Sequence, residues 1–289
     1  MTKQFSWIFA DITHRCNLRC PFCSNDWTKI SKGPDITVSA FDHLMKLLPL
    51  VRDTGFGISC AFEPTVHPKF AGLIDRIPEM GKDKLFFTTN MSAYISPYLL
   101  DDLSRANLHH INISLDSLDK QTFEELRHGA SFTTTMTNIA QLSAMFRYTT
   151  NSPQINFIIM ALKQNRDEII DIMNDGVILF PGASFEIRTP FSFSLNHMNQ
   201  EWKERSTLSF REWEALTARI TEAELPFTAR ISCHYRTKDE EIDKDPDKDP
   251  FLFTITSSGL MLQMSSGKTW NLNDIEDPLS FWEKKLEEF

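Results

Sequence analysis

The chain has 289 residues, 41% of them hydrophobic, and a formal net charge of −9. That much apolar sequence buries a core of barrel size, and the acidic balance repels phosphates, which argues against a general nucleic-acid binder. No apolar run reaches the ~20 residues of a membrane span, and the start Met1-Thr2-Lys3-Gln4-Phe5 lacks a signal peptide's apolar core, so a cytoplasmic location with reduced thiols is expected.

Phe5 to Ile12 reads as a strand. Ser39 to Leu50 has helical spacing through Phe41, Leu44, Leu47 and Leu48, with Thr37 or Ser39 as its N-cap. Gly55 to Ser59 is a short strand, Phe70 to Met80 a helix, Lys84 to Thr89 a strand, and Ser96 to Ala106 a helix opened by Ser96-Pro97. Ile111 to Leu115 is a strand, and a helical region covers Lys120 to Arg147 with a break near Gly129. Gln154 to Leu162, Arg166 to Asn174 and Phe185 to Thr189 follow as strand, helix and strand. This alternation predicts a parallel sheet with right-handed crossovers.

The expected fold is α/β: a partial (β/α)6 TIM-like barrel over residues 1–195, with its chemistry at the carboxyl ends of the strands. Residues 196–289 are expected to form a small C-terminal α+β extension. Glu201 to Phe227 looks helical, Asp239 to Pro250 is a charged, turn-rich loop, Phe251 to Met264 resembles a hairpin, and Pro278 to Phe289 is a last helix.

Of five cysteines, three lie directly after the first strand, in Cys16-Asn17-Leu18-Arg19-Cys20-Pro21-Phe22-Cys23. Cysteines this close in a reducing compartment favour metal over disulfides. Four thiolates would close a zinc site or fill every corner of an iron–sulfur cube. Three, with no fourth nearby, suggest a cluster with one iron left open. A zinc knuckle is the alternative, and His14 is its only local candidate for a fourth ligand.

The C-x3-C-x2-C spacing after a first strand, with aromatic Phe22 before the last cysteine, resembles the radical S-adenosylmethionine (radical SAM) superfamily over roughly residues 5 to 190. The resemblance implies one [4Fe–4S] cluster held by Cys16, Cys20 and Cys23, with SAM chelating the fourth iron. It also implies an electron donor such as flavodoxin or ferredoxin. Reductive cleavage of SAM would give methionine and a 5'-deoxyadenosyl radical that abstracts hydrogen from a substrate. Phe22 would sit beside the cofactor.

Ala61-Phe62-Glu63-Pro64 is similar to the family's Gly-Gly-Glu-Pro segment, with Glu63 facing the SAM ammonium group and Ala61-Phe62 replacing the glycines. Thr89-Asn90-Met91 resembles a Thr-Asn-Gly strand end, with Asn90 beside the methionyl group. Ser114-Leu115-Asp116 resembles a Ser-Leu-Asp ending, in which Ser114 or Asp116 contacts SAM or caps the strand. Alternation puts Glu186 and Arg188 on one face of the sixth strand, so Arg188 would meet the SAM carboxylate or a substrate anion if that face is the lumen.

The C-terminal part resembles a degenerate SPASM/twitch-like region without auxiliary-cluster cysteines, so a single cluster is expected. Its Trp and Phe residues read as packing residues. Some radical SAM epimerases return a hydrogen atom from a cysteine, a role open to Cys233 and, less readily, to Cys60. An inert buried thiol is the alternative for both.

The leading functional expectation is hydrogen abstraction from a small-molecule, natural-product-type substrate, ending in epimerisation, dehydrogenation or rearrangement. A peptide-modifying maturase (epimerase or crosslinking), with the acidic segment Asp239 to Asp249 recruiting a basic peptide, is the alternative within the enzymes. A non-catalytic iron–sulfur binding or sensing protein is the alternative outside them. Neither nucleic acid nor membrane is an expected partner.

Overall fold

The computed structural model of the chain describes residues 4–23, 25, 33–59, 61–190, 198–223, 225, 229–232, 251–256, 259–263, 269–271 and 274–288. Its centre is a run of parallel strands in sequential order: β1 (Ile8–Ala10), β2 (Phe56–Gly57), β3 (Leu85–Thr89), β4 (His110–Ser114), β5 (Gln154–Met160), β6 (Ser184–Arg188) and β7 (Ala229–Ser232). The expected α/β partial barrel is present, and β7 adds a parallel strand beyond the six read from the sequence.

The connecting helices are α1 (Val38–Met45), α2 (Phe70–Ile74), α3 (Gly81–Lys84), α4 (Pro97–Arg105), α5 (Lys120–Leu126), α6 (Phe132–Phe146), α7 (Ile169–Leu179), α8 (Gln200–Ser206) and α9 (Phe210–Glu222). Side-chain caps start several of them, from Thr37, Ser96, Asp119, Ser131 and Asn199. The helix expected over Glu201 to Phe227 is two helices. Ser209 and Glu212 form a capping box that begins α9, so the chain turns between α8 and α9. The helix expected over Phe70 to Met80 stops at Ile74, four residues before Pro78, which lacks the amide hydrogen a continuing helix would use.

The C-terminal strands complete the sheet. β8 (Phe251–Thr256) pairs parallel to β1, and β9 (Gly259–Gln263) and β10 (Thr269–Asn271) follow antiparallel. The sheet therefore runs β10-β9-β8-β1-β2-β3-β4-β5-β6-β7. The last helix, α10 (Pro278–Glu288), buries Trp282 completely against Phe5 and Trp270, which fits the packing role expected of these aromatics.

Strand alternation sorts the two faces of the sheet. Phe87, Ile111, Ile113, Ile155, Phe157, Phe185 and Ile187 join the main core with Leu100, Leu103, Ile139, Leu142 and Ile172 of the helices. The lumen face is polar at mid-height. Thr88, Asn112, Asn156 and Ser184 share one register, and Asn112 Nδ2 donates to Thr88, Asn156 Nδ2 to Asn112, and Ser184 Oγ to Asn156.

One layer below, His110 stacks on Phe86 at 4.6 Å, and its Nδ1 lies 2.8 Å from His109 Nδ1. Burial, and then the neighbouring His109, push His110 down to about 4 from an ordinary 6.5. The folded protein thus resists a proton that the unfolded chain takes up. Stability linked to His110 is complete above pH 6.5 and is lost as pH falls toward 4. Urea midpoints of the wild type should fall across this window, and His110→Asn should flatten the dependence. An identical pH profile in the variant would remove His110 from the acid response.

Candidate active site

The cysteine loop leaves β1 and is tied down at several points. Thr13 and Arg15 both donate to Asp35, with Arg15 Nε at 3.0 Å and Nη2 at 2.5 Å from its two oxygens. The Arg19 amide donates to the His128 carbonyl at 2.8 Å. Beneath the loop, Gly129 has φ +96°, and a Cβ there would lie 3.4 Å from the Asn17 carbonyl oxygen. Only glycine holds this conformation without strain. Gly129→Ala should lower stability by about 1–2 kcal/mol and loosen the cysteine loop. Thermal melts of the apoprotein, together with iron content after reconstitution, check this.

Cys16, Cys20 and Cys23 are partly buried thiols outside any disulfide, and all three line one pocket that is open to solvent. Backbone amides already point at two of the sulfurs. Leu18 N donates to Cys16 Sγ and Asn25 N to Cys23 Sγ, each at 3.4 Å. Such bonds stabilise a thiolate and tune the metal it binds. Burial pushes Cys16 up to about 11 and Cys20 to about 12, against the pull of Arg127. A metal centre must therefore displace protons as it assembles.

Among the described residues, no three metal-ligating side chains converge on a point that a single ion could occupy. Three thiols around a pocket suit a cluster that takes each on a different iron better than they suit mononuclear zinc. The donor set fits a [4Fe–4S] cluster, and the pocket that the thiols line opens to solvent beside it.

The next wall is built by the ends of β2 and β3. Glu63 is buried and braces both. Its Oε1 accepts from Thr65 N, Thr65 Oγ1 and Thr89 Oγ1 at 3.2, 2.6 and 2.7 Å, and its Oε2 accepts from Asn90 N at 2.6 Å. Burial raises its pKa while these donors oppose the rise. Asn90 bridges to the cysteine loop, with Nδ2 3.0 Å from Asn17 Oδ1 and 3.7 Å from Cys16 Sγ. Met91 has φ +51°, the left-handed backbone that favours glycine. Asn138 donates to the Met91 and Ala93 carbonyls and holds that loop in place.

Where the family resemblance has two glycines, this chain uses a clamp. Asp11 Oδ1 accepts from Ala61 N at 3.0 Å and Phe62 N at 3.3 Å. Ser59 Oγ donates to the Phe62 carbonyl at 2.6 Å, and the Phe62 ring stacks on His14 at 4.9 Å. Sequence reading did not single out Asp11. Its position five residues before Cys16 is the only signal it leaves.

The far walls come from β4, β5 and β6. Ser114, Ile158, Met160 and Arg188 line the pocket. Arg188 Nη2 lies 3.2 Å from Glu186, so the two do share the lumen face. Asp116 is fully buried and is absent from the pocket lining. Its Oδ2 pairs with Arg127 Nε at 2.7 Å and its Oδ1 accepts from Met160 N at 2.8 Å.

Arg127 does line the pocket, beside Phe22 at 5.7 Å, and its charge reaches Cys16 and Cys20. Sequence reading missed it, because a lone arginine at a helix end carries no spacing signal. Phe22 belongs to a second apolar cluster with Leu126, Leu162 and Met198, joined by Trp202 of α8, that packs against Cys20. Cys60 and Cys233, the candidate hydrogen donors, lie outside the described residues, as does the Asp239–Asp249 stretch.

A family model described as the Radical SAM superfamily matches residues 11–176. The chain belongs to the radical SAM superfamily. Members of this superfamily are enzymes that use a [4Fe–4S] cluster and SAM, and the three thiols line the pocket that would receive them.

The GTP 3',8-cyclase of Cyanothece sp. is 32% identical over 132 residues, covering 43% of this chain and 38% of that protein. The PqqA peptide cyclase of Methylorubrum populi is 27% identical over 123 residues, covering 41% and 30%. The matched region is thus under half of either relative's length. Among solved structures, SuiB of Streptococcus suis bound to S-adenosylmethionine has a TM-score of 0.66 at 15% identity, covering 98% of this chain and 66% of that one. Native anSMEcpe with bound AdoMet has a TM-score of 0.58 at 15% identity, covering 99% and 82%. At these identities the two structures speak for the fold. Among the described residues, no helix is long and apolar enough to cross a membrane.

Proposed function

We propose that this protein cleaves SAM reductively at one [4Fe–4S] cluster and abstracts hydrogen from a small polar substrate held in the barrel lumen. The observation that carries this reading is the convergence of Cys16, Cys20, Cys23, Glu63, Asn90, Ser114 and Arg127 on one pocket. When bound, the cluster supplies one electron that splits SAM and starts radical chemistry.

The chain's own residues position and shield. Asn90 and the Leu18 and Asn25 amides steady the sulfurs. Glu63 and Ser114 offer oxygens to the SAM ammonium group and ribose. Arg127 offers positive charge to the SAM carboxylate. Phe22 and Trp202 keep water from the Cys20 side. A small electron carrier such as flavodoxin or ferredoxin is the proposed reductant, and the Cys233 thiol is the proposed hydrogen donor if the outcome is epimerisation.

Protein reconstituted anaerobically should hold about four irons per chain and form 5'-deoxyadenosine from SAM with dithionite. Iron binding without SAM cleavage under any reductant would favour an iron–sulfur sensing role. Stoichiometric zinc with no capacity for iron would overturn the proposal.

A peptide substrate is the second reading. It is favoured by the likeness to PqqA peptide cyclase and to SuiB, which has also been solved bound to precursor peptide SuiA. The acidic run from Asp239 to Asp249 would attract a basic peptide.

A further inference from the structure

Two guanidinium groups enter the pocket, and they stand in different electrostatic situations. Arg127 is matched by a buried partner, Asp116, at 2.7 Å. Arg188 is held by Glu186 through Nη2 alone, at 3.2 Å, while its Nε is buried with no hydrogen-bond partner. The remaining buried polar atoms without a hydrogen bond among the described residues are His43 Nε2, Gln164 Oε1 and Trp282 Nε1, none on a pocket-lining residue, and the Asp116–Arg127 pair, whose atoms face each other. Native folds keep few unsatisfied donors, and each calls for a reason.

The position of Arg188 narrows that reason. Pocket-lining residues run from the loop after β1 around to β6, and Arg188 is the one on β6, the pocket-lining strand farthest along the sheet from the cysteine loop. Arg127, beside Cys16 and Cys20, already serves the cluster end. In the register of β6 and β7, Glu186 stands opposite the exposed Arg230, and among the described residues its ion pair is with Arg188. The Arg188 neighbour on β5 is Met160, whose thioether sulfur is only a weak acceptor and no equivalent of a ligand oxygen for the Nε proton.

We propose that Arg188 is the anchor for an oxyanion of the substrate, a carboxylate or a phosphate ester, which Nε and the guanidinium edge bind beyond the SAM site. This rests on the radical SAM reading above and adds the substrate's charge class to it. A planar guanidinium fits either oxyanion in the same two-point manner.

The test uses protein loaded with its cluster and SAM and kept oxidised, so that no turnover occurs. Calorimetric titrations with inorganic phosphate and, separately, acetate compare the wild type with Arg188→Gln and Arg188→Lys. The wild type should bind at least one anion saturably, and the preferred anion tells a phosphate ester from a carboxylate. Arg188→Gln should weaken that binding by about tenfold or more, Arg188→Lys should weaken it less, and SAM affinity should stay the same in all three, which also reports an intact fold.

Equal anion affinity in wild type and Arg188→Gln would overturn the proposal, as would the lack of saturable binding of either anion. A matching loss of SAM affinity would make Arg188 a SAM ligand and would also overturn it. Failure of the radical reading shows separately, as no 5'-deoxyadenosine from the wild type with dithionite.

Discussion

Changing Cys20 to Ser should leave a folded protein that holds well under one cluster per chain and forms no 5'-deoxyadenosine. Cys16→Ser and Cys23→Ser should do the same. Between Cys16 and Cys23 no further cysteine or histidine can substitute, and His14, two residues before Cys16, has its ring stacked on Phe62. A seryl oxygen is a harder and more basic ligand than a thiolate, and iron–sulfur clusters rest on soft sulfur donors.

The fold should survive. The three sulfurs lie on a pocket wall, and the main core is built from β-strand and helix residues that exclude them. Stability must be compared between apoproteins, since the cluster itself stabilises whatever binds it. The measurements are iron and sulfide content, the visible absorption of the cluster, and the melting temperature without iron. A fully loaded, active variant at any one position would remove that cysteine from the ligand set.

The second large effect concerns the ion pair under the pocket. Arg127→Met should destabilise the apoprotein by about 3–5 kcal/mol. Asp116 is 0% exposed and Arg127 is 7% exposed. Removing the cation strands a carboxylate that water cannot reach, which costs far more than the pair itself contributes. Asp116→Asn in the same chain should recover much of the loss, since a neutral amide can keep the Met160 amide bond.

The pH dependence has a definite sign. Burial holds the Asp116 carboxyl above its ordinary 3.8 even with Arg127 beside it, and without Arg127 it should rise further. The Arg127→Met protein is then best off at low pH, where Asp116 is protonated, and loses stability as pH rises through the shifted value. Urea denaturation of the wild type, both single variants and the double variant across that range closes the cycle. Additive losses would show that the pair is not coupled.

How much of this was legible in sequence depended on how local each feature is. The break between α5 and α6 at Gly129, the N-caps Thr37 and Ser96, and the start of α10 at Pro278 follow from short-range rules and appear where those rules put them. Pairing Glu186 with Arg188 needed only strand alternation. The division into α8 and α9 was missed because a long helical pattern hid the Ser209 capping box inside it. β7 was missed because four residues carry too little periodicity to register as a strand.

The sequence by itself determined the candidate donors of this site: three thiols at fixed spacing on one loop, and strand ends carrying Glu63, Asn90 and Ser114. Only the tertiary structure decided what surrounds them. It set Arg127 against Asp116, clamped Ala61 and Phe62 with Asp11, covered Phe22 with Trp202, and placed β8 against β1. The physical reason is range. A metal-binding loop and a helix cap act within a few residues, so linear spacing encodes them. A buried charge finds its partner, and an aromatic ring its cover, through contacts between segments that only packing brings within a few ångströms.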